Sequence, residues 1–393
     1  MATAQHQTLG DLAQGAIAKY LKQAVAQADA VLADTDPENL HQMRVGLRRL
    51  RTAVQVFGPG LALPKAGREA RVAAVGRQLG TLRDLDVIGA TLRDRYAPDL
   101  PDNEQACLGE VLLALAKRRH KTFKQVKKLL QGKRYQRLTQ ALGDWVAEPD
   151  YGAIAPLPAD QMIVDLVSPL VSQLWLHPGW LVGTKATSGG AVANPRLSLT
   201  ATDALISAQG PQLHSLRKQI KRVRYQLRLV ADRYPGTLDD DIQRLSTMQD
   251  NLGALQDSTV LAQFIETVVP DARAQMPRLF ALLADNRHRA WKQWQSHQQH
   301  YLDPAQRQRL RLALLTPGAP APAEPAGAKS AKAKSGGAKS GGAKSGGAKS
   351  TKAADRNGTT PASRRRSTAR GKTTPAKTTR PPEPPPDPEP TDS

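Results

Sequence analysis

The stretch His41–Phe57, HQMRVGLRRLRTAVQVF, comes back as His214–Val230, HSLRKQIKRVRYQLRLV. Both carry His-x2-Arg-x3-basic-basic-x-Arg, and their starts are 173 residues apart. A second pair has the same offset of 173: LGTLRDLDV from Leu79 and LGALQDSTV from Leu252. Two separate motifs with one offset, and no net gap between them, indicate a duplicated unit.

The spacing within the first motif is helical. At about 100° per residue, with His41 at zero, Arg48 falls near −20°, Arg44 near −60° and Arg51 near −80°. Met43, Leu47, Leu50, Val54 and Phe57 gather on the opposite side. In the second copy His214, Arg217, Lys221, Arg224 and Arg228 share one face, and Leu216, Ile220, Val223, Leu227 and Val230 share the other. Each helix therefore buries one stripe and presents a basic stripe. No acidic residue is interleaved on the basic side, so its like charges repel. One charged helix face is ordinarily just solvated. Two copies with a histidine at the same edge favour an anionic ligand instead.

The surroundings are helical too. Leu9–Leu32, Pro37–Phe57, Lys65–Tyr96, Asn103–Leu130 and Tyr135–Val146 carry apolar residues at i+3/i+4 spacing, and β-branched alternation is scarce. Asp36-Pro37-Glu38 reads as a helix start and Gly58-Pro59-Gly60 as a stop. From Glu148 to Leu199 prolines and TKATSGGAVANP (Thr184–Pro195) suggest a connector with one short helix near Ile163–Trp175. Helices resume from about Asp203 to Leu315, with breaks at Pro235-Gly236 and Pro270. The expected organisation is repeat one over about 8–147, a connector over 148–202 and repeat two over 203–315.

Composition separates this body from a tail. The 393-residue chain has 56 Lys and Arg against 35 Asp and Glu, a formal charge of +21. The 76 residues after Pro317 hold 15 basic and 6 acidic groups and none of the 16 aromatics. Rich in Ala, Lys, Ser, Gly and Pro, residues 318–393 cannot offset the entropy of ordering and are expected to be disordered. The single Cys107 excludes a disulfide framework or a cysteine-based zinc site. No apolar run approaches membrane-spanning length and Met1–Gly10 does not read as a signal peptide, so a cytoplasmic protein without membrane contact is expected. The charge points to a polyanionic partner.

Taken together, the two His-x2-Arg-x3-basic-basic-x-Arg helices and the two Leu-Gly-x-Leu-x-Asp elements resemble the CHAD domain (conserved histidine α-helical domain), over roughly residues 8–315. The resemblance implies an all-α fold of two pseudo-twofold-related bundles forming one domain, with basic helices flanking a central groove. It also implies binding of inorganic polyphosphate and recruitment to polyphosphate granules. By position, the family's binding residues fall on His41, Arg44, Arg48, Arg49 and Arg51, and on His214, Arg217, Lys221, Arg222 and Arg224. Lys218 and Arg228 enlarge the second basic face, while Lys117, Arg118, Lys121 and Lys124 offer a further stretch that would lengthen the groove, as would Arg287-His288-Arg289. Two departures stand out. Thr184–Pro195 looks like an insertion, and no acidic, β-rich triphosphate-tunnel domain accompanies the helices.

Other constellations are weaker. Asp84, Asp86 and Asp257 are read as structural, bonding to the basic helix, with a carboxylate metal site as the alternative. His297 and His300 lack further ligands, and Trp175, Trp180, Trp291 and Trp294 read as core. Phosphate-loop, nucleophile-elbow and zinc-protease motifs are missing, so neither enzymatic activity nor a cofactor is expected. The rival reading is a nucleic-acid or nucleoid-associated protein, for which the histone-like tail is the argument. Against it, helix-turn-helix and RRM-like patterns are missing and aromatics for base stacking are few.

Overall fold

Thr8 opens the helical body with a reciprocal cap, its hydroxyl accepting from the Asp11 amide and the Asp11 carboxylate accepting from the Thr8 amide. Helix α1 (Leu9–Val25) follows, and a turn at Ala26–Gln27 separates it from α2 (Ala28–Ala33). The single helix expected over Leu9–Leu32 is thus two. The computed structural model describes residues 7–317, and the tail assigned to 318–393 lies outside the described residues.

Asp36 caps α3 (Pro37–Val56) by accepting from the Glu38 amide at 2.8 Å, with Pro37 at the first helical position, where it gives up no intrahelical bond. The Gly58–Gly60 turn ends α3, and α4 (Glu69–Ala90) runs on into a wider π-helical turn, Thr91–Tyr96. Helices α5 (Asp102–Leu130) and α6 (Lys133–Ala147) complete the first half. Next come α7 (Ala159–Trp175), then α8 (Leu199–Val230), α9 (Asp239–Glu266), α10 (Ala272–Gln275), α11 (Pro277–Leu302) and α12 (Pro304–Leu314).

The connector differs from its sequence reading in two respects. Thr184–Pro195 is not irregular: β1 (Thr184–Thr187) and β2 (Gly190–Ala193) form an antiparallel hairpin with Thr184 opposite Ala193. Its pairing is held from outside, because Gln299 of α11 accepts from the Ala193 amide at 2.8 Å and Gln295 donates to the Asn194 carbonyl. The helices here also start earlier than expected: α7 at Ala159, and α8 at Leu199, capped by Ser198, and each runs through a proline, Pro169 or Pro211. Ser207, whose carbonyl loses its partner to Pro211, is exposed and open to water.

The apolar stripes are buried as their spacing requires. Met43, Leu47, Leu50, Val54 and Phe57 are at most 4% exposed, and Leu216, Ile220, Val223, Leu227 and Val230 at most 1%. All belong to one cluster that also includes Leu79 of α4 and Leu252 of α9, so the halves share a core. All five tryptophans, Trp145 included, lie within the buried core, with Trp180 stacked on Trp294 at 5.5 Å. A second cluster joins Leu92 and Tyr96 to α5, α9 and α11. Beside it, buried Glu104 of α5 accepts from the Arg278 and Leu279 amides at 2.8 and 2.9 Å. A carboxylate from one half therefore caps a helix of the other, where the helix dipole favours negative charge. Among the described residues no helix is long and apolar enough to cross a membrane.

Candidate anion-binding site

Helices α3 and α8 pack against each other, and each packs against the helix that carries the second motif, α4 or α9. The two motifs meet through a glycine notch. A Cβ on Gly80 would lie 2.6 Å from Nη1 of Arg44, and one on Gly253 would lie 2.9 Å from Nη2 of Arg217. Any side chain at either position would displace the guanidinium laid across it. The same contact is made in both halves: the arginine of the first motif lies in the notch left by the glycine of the second. Arg217 also donates to the Gln249 carbonyl at 3.3 Å. Arg44 Nη1 is buried with no hydrogen-bond partner among the described residues.

Two cavities open along the basic helices. One, of about 270 Å³, lies between α3 and α8 and is lined by Arg48, Arg51, Lys218, Lys221, Arg222 and Tyr225 among others. The other, of about 460 Å³, lies between α3 and α4 and is lined by Arg44, Arg48, Arg51, Arg77, Asp84 and Lys221 among others. Arg48, Arg51 and Lys221 line both, so the two cavities adjoin along a shared basic wall and together make up the candidate groove.

Charge in this groove is crowded. The Lys221 amine is pushed down to about 7, first by burial and then by Arg48, Arg217, Arg44 and Arg224. Arg48 donates to the Tyr225 hydroxyl at 2.6 Å and lies 5.2 Å from that ring's centre, while Arg224 covers the ring at 4.7 Å and donates to Ser246 at 2.7 Å. Arg51 is paired with Glu69 of α4. The basic face is therefore not wholly free of acid, but the partner comes from a neighbouring helix, where the spacing within α3 could not reveal it.

The remaining candidates divide. His41 and His214 line neither cavity but sit on the same helices. Both are pushed below the ordinary imidazole value, His41 chiefly by burial with Arg83, Arg48 and Arg44 adding, and His214 by burial with Lys218, Arg217 and Lys221 adding. Arg49 and Arg228 lie together in a small crevice with Tyr20 that borders the smaller cavity through Thr52 and Tyr225, and Arg49 donates to Gln23 at 3.3 Å. Lys117, Arg118, Lys121 and Lys124 are exposed on α5 and line neither cavity. In the same run Arg119 is tied to Asp34 and Asp86 at 2.6 and 2.7 Å. Arg287 is likewise bonded, to Asp203 at 2.8 Å.

Of the three motif carboxylates one needs correcting, since Asp84 and Asp257 each lie near the motif arginine of a basic helix, Arg44 or Arg217. Asp86 serves Arg119 of α5, not the basic helix, while Asp84 lines the larger cavity and offsets part of the strain on Arg44. Sequence reasoning missed Arg77 and Thr81 of α4, which line the larger cavity, and Thr52, Gln55 and Tyr225, which line the smaller. Arg77 and Thr81 flank the Gly80 notch, a placement that becomes visible once the notch is known to face Arg44.

Comparison with known proteins follows this geometry. No curated protein matches the chain. Among solved structures, PptA from Streptomyces chartreusis is 16% identical, with 74% of this chain and 99% of that one covered and a TM-score of 0.51. The CHAD domain from the plant Ricinus communis is 23% identical, covering 80% of this chain and 94% of that one with a TM-score of 0.48. The family model of the CHAD domain matches residues 15–266, a span that holds both basic helices and both glycine notches. This chain belongs to the CHAD domain family.

Proposed function

We propose that the groove binds inorganic polyphosphate and holds it without turnover. The observation that carries this reading is Lys221, whose amine is driven down to about 7 by burial and by four guanidiniums drawn from both halves of the molecule. Such convergence is unfavourable until an anion enters, and a linear polyanion neutralises several of these groups at once. Polyphosphate carries about one charge per phosphate and no bases, so its recognition rests on charge density and on guanidinium forks that match phosphate oxygens. The lining supplies such groups, with the Thr52 and Thr81 hydroxyls as further donors.

One feature favours polyphosphate over a single-stranded nucleic acid. Base recognition uses open aromatic faces, but the Tyr225 ring that lines the groove is already covered by Arg48 and Arg224. Concentration at cytoplasmic polyphosphate granules would follow from such binding. Competition tests the reading. Polyphosphate should displace duplex DNA from the protein at equal total charge, and DNA should displace polyphosphate poorly; the reverse order would sink it. Release of phosphate on incubation would overturn the absence of turnover.

A further inference from the structure

The two halves of the groove are not equivalent. Because Gly80 meets Arg44 as Gly253 meets Arg217, α4 lies on α3 in the same register as α9 lies on α8. Residues counted from each notch therefore occupy matching places. Three positions before Gly80 stands Arg77, and three before Gly253 stands Asp250. Both are exposed, and Arg77 lines the larger cavity. One step after the notch Thr81 is matched by Ala254, and three after it Arg83 is matched by Gln256. On α9, then, a carboxylate replaces a guanidinium, and a donor hydroxyl and a second guanidinium are lost.

Other differences do not restore the balance. Lys218 and Arg228 of α8 stand opposite Val45 and Gln55 of α3, but they open on the crevices between α3 and α8, away from α9. Asp257 matches Asp84, each lying near its own motif arginine, so this pair favours neither side. Glu69 pairs with Arg51 at the edge of the larger cavity, yet Arg44, Arg48, Arg77 and Lys221 remain there against Asp84 alone.

Building on the polyphosphate reading, we propose that the bound chain lies one-sidedly, from Arg77 on α4, across Arg48, Arg51 and Lys221, to Lys218 and Arg222 on α8. Arg77 is a binding residue on this path, and Asp250 turns the chain away from α9. The pseudo-twofold of the fold is thus not a symmetry of the site. A chain entering over α4 meets positive groups along both cavities, whereas one entering over α9 first meets a carboxylate.

Reversing the charges tests the path. Affinity of the full-length protein for a polyphosphate of defined length should be measured in Arg77→Asp, Asp250→Arg and Arg48→Glu, beside Arg134→Asp as a control. Arg134 is exposed on α6, lines neither cavity, and undergoes the same change in charge as Arg77. The expected results are a loss of about tenfold or more in Arg77→Asp beyond the control, and a measurable gain in Asp250→Arg as the second side opens. If Arg48→Glu weakens binding while Arg77→Asp only equals the control, the one-sided path is wrong and the polyphosphate reading stands. If the unaltered protein fails to bind polyphosphate, both fall.

Discussion

At the scale of single residues, Gly80 and Lys221 hold most of the site's physics. A methyl group at Gly80 would sit 2.6 Å from Arg44 Nη1, at the far end of a flexible side chain, so α3 and α4 can stay packed while the guanidinium moves. Gly80→Ala is expected to cost about 1–2 kcal/mol in stability, as overpacking does, and to weaken polyanion binding. Thermal unfolding and a binding titration check this; unchanged affinity would detach the notch from the site. Lys221 predicts a pH dependence whose sign is fixed. Its folded-state value of about 7 lies below the ordinary 10.5, so across that window the unfolded chain binds more protons and stability of the empty protein rises with pH. A bound polyanion restores the ammonium, so at pH 8 binding takes up a proton and affinity falls by at most about tenfold per pH unit above 7. Calorimetry in buffers of differing ionisation heat measures that uptake, and Lys221→Arg should abolish the part due to the lysine.

At the scale of elements, the helices were legible and several of their contacts were not. Apolar spacing in α3 and α8 identified stripes that are buried throughout, because a helix exposes its period directly in the chain. Partners across helices leave no such period. The Arg51–Glu69 and Arg119–Asp86 pairs join residues on different helices, and nothing in the spacing of one helix announces the other. The hairpin Thr184–Ala193 was missed for a similar reason: its anchors, Gln295 and Gln299, lie on α11. The basic run on α5 shows why charge alone does not identify a site. Arg119 binds Asp34 of the α2–α3 turn and Asp86 of α4 at once, bracing three elements. Arg119→Ala should therefore destabilise the protein by about 1–3 kcal/mol, since two partly buried carboxylates lose their partner. Polyphosphate affinity should be unchanged below the melting transition. Urea titrations with matched binding curves separate these effects, and a variant of full stability and lost affinity would place α5 in the groove.

At the scale of the whole molecule, duplication supplied two basic helices and one shared core, and the groove arises where those helices meet. The repeat was legible because two motifs kept one offset. The position of the meeting was not, because the α3–α8 contact joins residues far apart in the chain, such as Arg48 and Tyr225. Through that contact Arg48, Arg51 and Lys221 serve both cavities. A polyanion long enough to pass between the cavities makes its second contact intramolecularly, and the gain is an effective concentration, not merely added charge. The most direct measurement is affinity as a function of phosphate number, from pyrophosphate to long chains, in the unaltered protein, Arg48→Glu, Lys221→Glu and a Lys124→Glu control. Affinity per molecule should climb steeply with length and then flatten once both cavities are occupied, and Arg48→Glu and Lys221→Glu should each remove the steep part while Lys124→Glu leaves it. A smooth rise with charge, in which Lys124→Glu loses as much as the other two, would contradict a groove made up of both cavities.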